Sequence, residues 1–240
     1  PLYFIDTHAG AAVYALTGAY ARKNAEFESG ISRLWSRRDL PKPVADYVAQ
    51  VRAVNPDGKL RAYPGSPQIA FQMLRKQDRL RMFELHSTES RLLLEYFRNH
   101  GPRAIAQAGD GFAGLRALLP PPSRRALVLI DPSYEDKADY QRVVAALREA
   151  LEKFATGVYA IWYPIVRRRE ALQLPDRLRR LATGNWMNVM LQVKAQPADG
   201  VGLYGSGMFV ANPPWTLPKM LAGVMPCLVD LLSQDEPAAF

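Results

Sequence analysis

Ala126-Leu127-Val128-Leu129-Ile130-Asp131-Pro132-Ser133-Tyr134 is the stretch on which the fold turns. Five apolar residues in a row, two of them β-branched, read as a strand covered on both faces, as strands inside parallel sheets are. The acid, proline and short polar residue that follow end it abruptly. Residues 158–162 read the same way, and residues 2–6, 79–84, 103–107, 187–193 and 207–211 are further strand candidates. Helical periodicity fills the gaps. In 140–154, Tyr140, Val143, Val144, Leu147, Leu151 and Phe154 share one face, with Asp136 as a candidate N-cap and Gly157 as a stop. A helix over 87–98 ends at Asn99-His100-Gly101-Pro102. Alternating strands and helices predict an α/β fold, an open and mostly parallel sheet with helices on both faces.

One interval breaks the alternation. More than seventy residues separate the first two strands, far more than one crossover helix requires. Residues 66–75 supply that helix. Residues 17–65 are then a helical insertion, with an amphipathic helix around Val44, Tyr47, Val48, Val51 and Val54, and the main domain comprises 1–16 and 66–240. The insertion is placed either to grip a substrate or to cover the sheet as a lid.

The composition suits this reading. The chain has 240 residues, 48% hydrophobic and 22% charged, enough to bury a core. A single cysteine, Cys227, excludes a disulfide framework and a cysteine zinc site, and His8, His86 and His100 are too scattered for a histidine metal cluster. No apolar run approaches a membrane span and no leader precedes the first strand, so the expectation is a cytoplasmic protein without metal or membrane partner. The formal charge of +8 is localised. Residues 17–65 hold nine basic and five acidic side chains and 163–184 hold six and two, while the remainder balances. Two basic surfaces on a neutral body suggest a polyanionic partner, although exposed Lys and Arg also serve solubility.

Ligands of open α/β sheets bind beyond the carboxyl ends of the strands. Those ends read Asp6-Thr7-His8-Ala9-Gly10, Glu84-Leu85-His86, Gly109-Asp110-Gly111-Phe112 and Asp131-Pro132-Ser133-Tyr134. An acid stands at each, and acids suit ribose hydroxyls and amino groups. No lysine follows a glycine-rich loop in the manner of a triphosphate site. S-adenosylmethionine is the cofactor that fits.

The Asp131–Tyr134 tetrad resembles the Asp/Asn-Pro-Pro-Tyr/Phe motif of class I amino-group methyltransferases. With the Asp6–Gly10 turn, Tyr63-Pro64-Gly65-Ser66-Pro67, Glu84-Leu85-His86, Ala108–Phe112, Phe154-Ala155-Thr156-Gly157, Trp162-Tyr163-Pro164 and Asn212-Pro213-Pro214-Trp215, the ordered set resembles the bacterial 23S ribosomal RNA adenine-N6 methyltransferases of the RlmJ type. The resemblance implies a Rossmann-like seven-stranded sheet with an antiparallel last strand and a monomer acting on 23S ribosomal RNA. It implies His8, Gly10, Ser66, Glu84, Asp110, Gly111 and Asp131 as S-adenosylmethionine contacts. Glu84 would meet the ribose hydroxyls and Asp110 the adenine amino group; Ser66 alternatively caps helix 66–75. It further implies Asp131 as the catalytic carboxylate, with Pro132, Ser133 and Tyr134 binding substrate. Asp131 and the Pro132 carbonyl would accept both N6 hydrogens while Tyr134 stacks on an extruded base.

Ser133 departs from the usual second proline, which leaves the turn less stiff. Ala12 and Val13 stand where the family usually has Gly and a basic residue. The chain starts on its first strand without Met, so a shortened, less active form is expected. Asn212-Pro213-Pro214-Trp215 is a rival tetrad, assigned to a structural turn because an antiparallel last strand points away from the cofactor. A DNA adenine methyltransferase, a protein for use of external DNA and a non-catalytic nucleic-acid-binding protein are the alternatives.

Overall fold

A computed structural model describes residues 1–17, 26–197 and 202–235. Of the basic insertion window, Arg22 and Lys23 lie outside the described residues. The strands are β1 Tyr3–Asp6, β2 Val13–Ala15, β3 Ala62–Pro64, β4 Arg79–Glu84, β5 Ala104–Ala108, β6 Ala126–Ile130, β7 Val158–Ile165, β8 Trp186–Gln192 and β9 Gly205–Ala211. The helices are α1 Glu26–Ser29, α2 Ile31–Trp35, α3 Lys42–Ala53, α4 Ser66–Met73, α5 Ser87–Phe97, α6 Gly111–Leu118, α7 Ala138–Lys153, α8 Arg169–Leu181 and α9 Leu217–Leu232.

Seven strands form one sheet in the order β5-β4-β1-β6-β7-β9-β8. All neighbours are parallel except β9, which runs antiparallel to both β7 and β8. The strand order reverses at β1, between β4 and β6, and this reversal opens the crevice in which such sheets hold ligands. The apolar run 126–130 is the hub: Val128 and Ile130 are fully buried, beside Ile5 and Ile161. Tyr140, Val143, Val144 and Leu147 of α7 cover one face, as their spacing predicts. Leu80, Met82, Leu93 and Phe97 form a second core on the side of α4 and α5. Each fully buried Leu or Ile contributes roughly 1.5–3 kcal/mol of transfer free energy. Asp136 accepts the Ala138 N–H at 2.8 Å, so it caps the turn entering α7.

The structure departs from the sequence reading in three places. Strand β7 continues through Pro164 to Ile165, beyond the expected end at Trp162. Its partner β6 stops at Ile130, so past Ile161 β7 is paired only with β9, and a residue lacking an N–H is tolerated on the side left open. Second, a short antiparallel pair, Val13–Ala15 against Ala62–Pro64, forms a neck at the base of the insertion. Buried Asn55 braces it, accepting from the Arg61 and Ala62 N–H groups and donating to the Val51 and Ala62 carbonyls. Third, the insertion shares a core with the last helix. Ile31, Leu34, Val44, Val48 and Val51 bury against Val224, flanked by Leu228 and Leu231. Arg33 also donates to the Leu231 and Ser233 carbonyls at the end of α9.

Candidate active site at the carboxyl ends of the strands

Four acids ring the carboxyl ends of β1, β4, β5 and β6, and each is held differently. Glu84 is fixed by backbone: Oε2 accepts the Gly10 N–H and Oε1 the His86 N–H, both at 2.7 Å. Each of its oxygens keeps a lone pair for a further donor. Gly10 reaches it with φ +58°, a backbone conformation that side chains disfavour. Asp110 caps α6, its Oδ1 accepting the Phe112 N–H at 2.9 Å, and Oδ2 has no hydrogen-bond partner among the described residues. Gly111 follows because nothing larger fits: an added Cβ would lie 1.8 Å from the Thr7 carbonyl oxygen.

His8 is a fixed neutral ring. The Thr7 hydroxyl lies 2.8 Å from Nδ1 of His8 and 3.0 Å from the Leu129 carbonyl; where it donates to that carbonyl, Nδ1–H donates to it and Nε2 is left as an acceptor. Burial pushes the imidazole down to about 4, against the opposing charges of Glu84 and Asp110. Ser66 does not cap its helix; its hydroxyl donates to Asp6 Oδ2 at 2.6 Å. Asp6 is fully buried, and burial raises its carboxyl to about 6.

Asp131 differs from the other three acids. It stands half-buried where β6 ends, and among the described residues no side chain or N–H hydrogen-bonds to it. Burial, reinforced by the charge of Asp6, pushes it up to about 7. Pro132 behind it is buried and Ser133 is exposed.

Tyr134 is not presented to a base as expected. It is 3% exposed, its hydroxyl donates to the Trp162 carbonyl at 2.6 Å, and its ring packs 4.7 Å from that of Tyr140. A half-turn to φ +56° directs it inward. Beside the turn lies a groove of about 470 Å³, whose walls include Ser133, Tyr134, Trp162, Pro164, Arg167, Arg168 and Leu203. The overhanging end of β7 builds one wall of it.

The rival tetrad sits at the opposite end of the sheet. Asn212 Nδ2 donates to the Ala155 and Gly157 carbonyls at 2.7 and 2.8 Å, beside the start of β7, and φ is +54°. Asn212→Ala should therefore cost about 1–3 kcal/mol, the scale of stranded acceptors plus a poor left-handed residue, while folded enzyme keeps its rate. Thermal unfolding compared with turnover per active molecule checks this.

Both basic windows hold paired and free cations. In the insertion Arg37 pairs with Asp39, Lys42 with Asp46, Arg61 with Asp57, and Arg52 binds the Trp35 carbonyl, while the Arg38 and Lys59 side chains are exposed without partners among the described residues. Around α8, Arg167, Arg169 and Arg180 are exposed without partners among the described residues, so that surface is available to an anion. Asp6 was legible as a strand-end acid, but its bond to Ser66, the contact of Thr7 with His8 and the inward turn of Arg168 were not, since nothing local marks them. Among the described residues there is no metal-holding cluster and no helix long and apolar enough to cross a membrane.

Comparison with known proteins agrees with this geometry. A family model described as "Ribosomal RNA large subunit methyltransferase D, RlmJ" matches residues 1–239. "Ribosomal RNA large subunit methyltransferase J" of Escherichia coli K12 is 43% identical over 229 residues, covering 95% of this chain and 81% of that protein. Its namesake in Haemophilus influenzae is 41% identical, covering 96% and 82%. A crystal structure of a Legionella pneumophila protein superposes with a TM-score of 0.90 at 34% identity, covering all of this chain and 86% of the other.

Proposed function

The chain belongs to the RlmJ family of ribosomal RNA large subunit methyltransferases, and we propose that it methylates the N6 amino group of an adenine in 23S ribosomal RNA, with S-adenosylmethionine as donor. The observation that carries this reading is the Asp131 carboxylate at the crevice, without a hydrogen-bond donor among the described residues, on the strand beside Asp6 and at the same end of the sheet as His8, Glu84 and Asp110. The relatives' names speak for ribosomal RNA over DNA, and for an enzyme over a binding module. A cytoplasmic monomer is part of the same proposal.

The residues present fit the cofactor. Glu84 offers two spare lone pairs to a ribose diol, Asp110 a free oxygen to an amino group, and the Gly10 turn lets backbone approach closely. The excess of carboxylates suits a cation. When bound, S-adenosylmethionine supplies an electrophilic methyl group on a sulfonium. Everything else is positioning by this chain. An adenine amino group is a weak nucleophile because its lone pair is delocalised into the ring. Asp131 accepts one N6 hydrogen and the Pro132 carbonyl the other, which draws the nitrogen towards tetrahedral geometry. Its lone pair is then aimed at the donor, and holding the two in line supplies much of the rate. The methylated nitrogen becomes acidic and needs no strong base. Tyr134 acts from behind, as a strut for the turn, and the target base enters beside the exposed Ser133.

Tritiated methyl transfer to naked 23S RNA, assembled subunits and DNA in parallel tests the reading. Label in RNA, recovered as N6-methyladenosine, is expected; label in DNA alone overturns it. Glu84→Ala should weaken S-adenosylmethionine binding by about 1.5–3 kcal/mol, the scale of hydrogen bonds to a charged acceptor. Calorimetry showing parental affinity would remove Glu84 from the site.

A further inference from the structure

We propose that Arg168 is a positioning residue for methyl transfer, holding the 131–134 turn in its reactive shape; the proposal rests on the function stated above. Three arginines follow one another at 167–169. The outer two are exposed, whereas Arg168 is half-buried, and its Nη1 donates to the Tyr134 carbonyl at 3.0 Å. Arg168 is itself anchored, as the residue that caps the start of α8, with its N–H on the Val166 carbonyl at 2.8 Å. The Tyr140 hydroxyl stands beside its guanidinium.

The turn needs this outside hold. Tyr134 has φ +56°, a conformation that a bulky residue keeps only when its surroundings over-determine it. The turn's own polar contact is weak, the Glu135 N–H meeting the Ser133 hydroxyl at 3.5 Å. Tyr134 is instead tied from outside, its hydroxyl to the Trp162 carbonyl, its N–H to the Asp139 carboxylate and its own carbonyl to Arg168. Among the described residues no side chain or N–H hydrogen-bonds to the Asp131 carboxylate, so its position is inherited from the backbone of this turn. A displacement of the order of 1 Å at a reacting group costs about a hundred-fold in rate. Arg168, in the wall of the groove and donating to the turn rather than to Asp131, thereby helps to set where the acceptor of the N6 hydrogen stands.

The test measures kcat and KM for RNA methylation together with calorimetric S-adenosylmethionine binding. Arg168→Ala should lower kcat by about ten- to a hundred-fold, the equivalent of one lost charge-assisted hydrogen bond. Cofactor affinity should stay within about two-fold, because Glu84, Asp110 and the Gly10 turn are held independently. Arg168→Lys, which keeps the charge, should recover part of the loss and serves if the alanine variant folds poorly. Combined with Tyr134→Phe, the losses should be less than multiplicative, since both variants release one turn. Parental kcat in Arg168→Ala overturns the proposal. So does a parallel loss of cofactor affinity and thermal midpoint, which marks a structural role, or a rise in RNA KM alone, which marks a phosphate contact. Asp131→Ala is run alongside: a parental rate there sinks the catalytic reading itself, whereas a dead Asp131→Ala with an unaffected Arg168→Ala sinks only this proposal.

Discussion

Asp131→Ala is expected to lower methyl transfer by at least about a thousand-fold, the scale on which groups aimed at a reacting centre act, while the protein stays folded and is as stable at pH 8 as the parent or more so. The two halves have one cause. The carboxylate stands in a half-closed crevice near buried Asp6, without a donor among the described residues to compensate the loss of water. Its carboxyl binds a proton more tightly folded than unfolded, with a pKa of about 7 against 3.8. The stability this protonation gives is full below about pH 4 and lost as pH rises through about 7. At pH 8 the native state therefore holds an unfavourable charge, and removing it relieves on the order of 2 kcal/mol or more, offset in part by the small hole left behind. A group kept at such a cost is one whose free lone pairs matter. Rate and thermal midpoint measured on the same preparation decide the matter: a marked fall in both would make Asp131 structural, and a parental rate would move the chemistry elsewhere.

Much of the sheet was legible because its signals are local. Five apolar residues before Asp131 can hardly be anything but a covered strand, and the face of α7 follows from spacing alone. The neck of the insertion was not legible: Val13–Ala15 and Ala62–Pro64 are three residues each, one carries a proline, and they pair across the whole insertion. Nor was the shared core with α9, since the apolar face of 217–232 says that something covers it but not what. The same divide runs through the site. The acids at the strand ends, and the wrong-end position of Asn212, could be placed from chain order and topology. The inward Tyr134 could not, because its direction depends on one left-handed residue and on two hydrogen bonds to β7 and α8. Likewise three consecutive arginines look alike in sequence; only packing turns Arg168 inward and leaves its neighbours to solvent.

The pH profile should carry the signature of the same carboxylate. Ionised Asp131 accepts an N6 hydrogen far more strongly than the protonated acid, whose carbonyl oxygen is a weak acceptor, so kcat/KM, which reports ionisations of the free enzyme, should have an acid limb near pH 7. Below that the ionised fraction falls ten-fold per unit, and the rate falls with it until it levels at the weaker rate of the protonated acid. His8, pushed down to about 4 by burial, is neutral throughout this range and contributes nothing to the limb. The charge of Asp6 is one of the two causes that raise Asp131, so Asp6→Asn should shift the limb towards lower pH. A bound cation favours the carboxylate, so the limb of kcat should also lie lower than that of kcat/KM. Asp131→Asn separates this account from a general effect of acid. Its amide oxygen still accepts a hydrogen bond, more weakly, and cannot titrate, so a reduced rate should persist with no limb near 7. A limb that survives unchanged in Asp131→Asn belongs to another group, and the carboxylate would then have no part in the acid dependence.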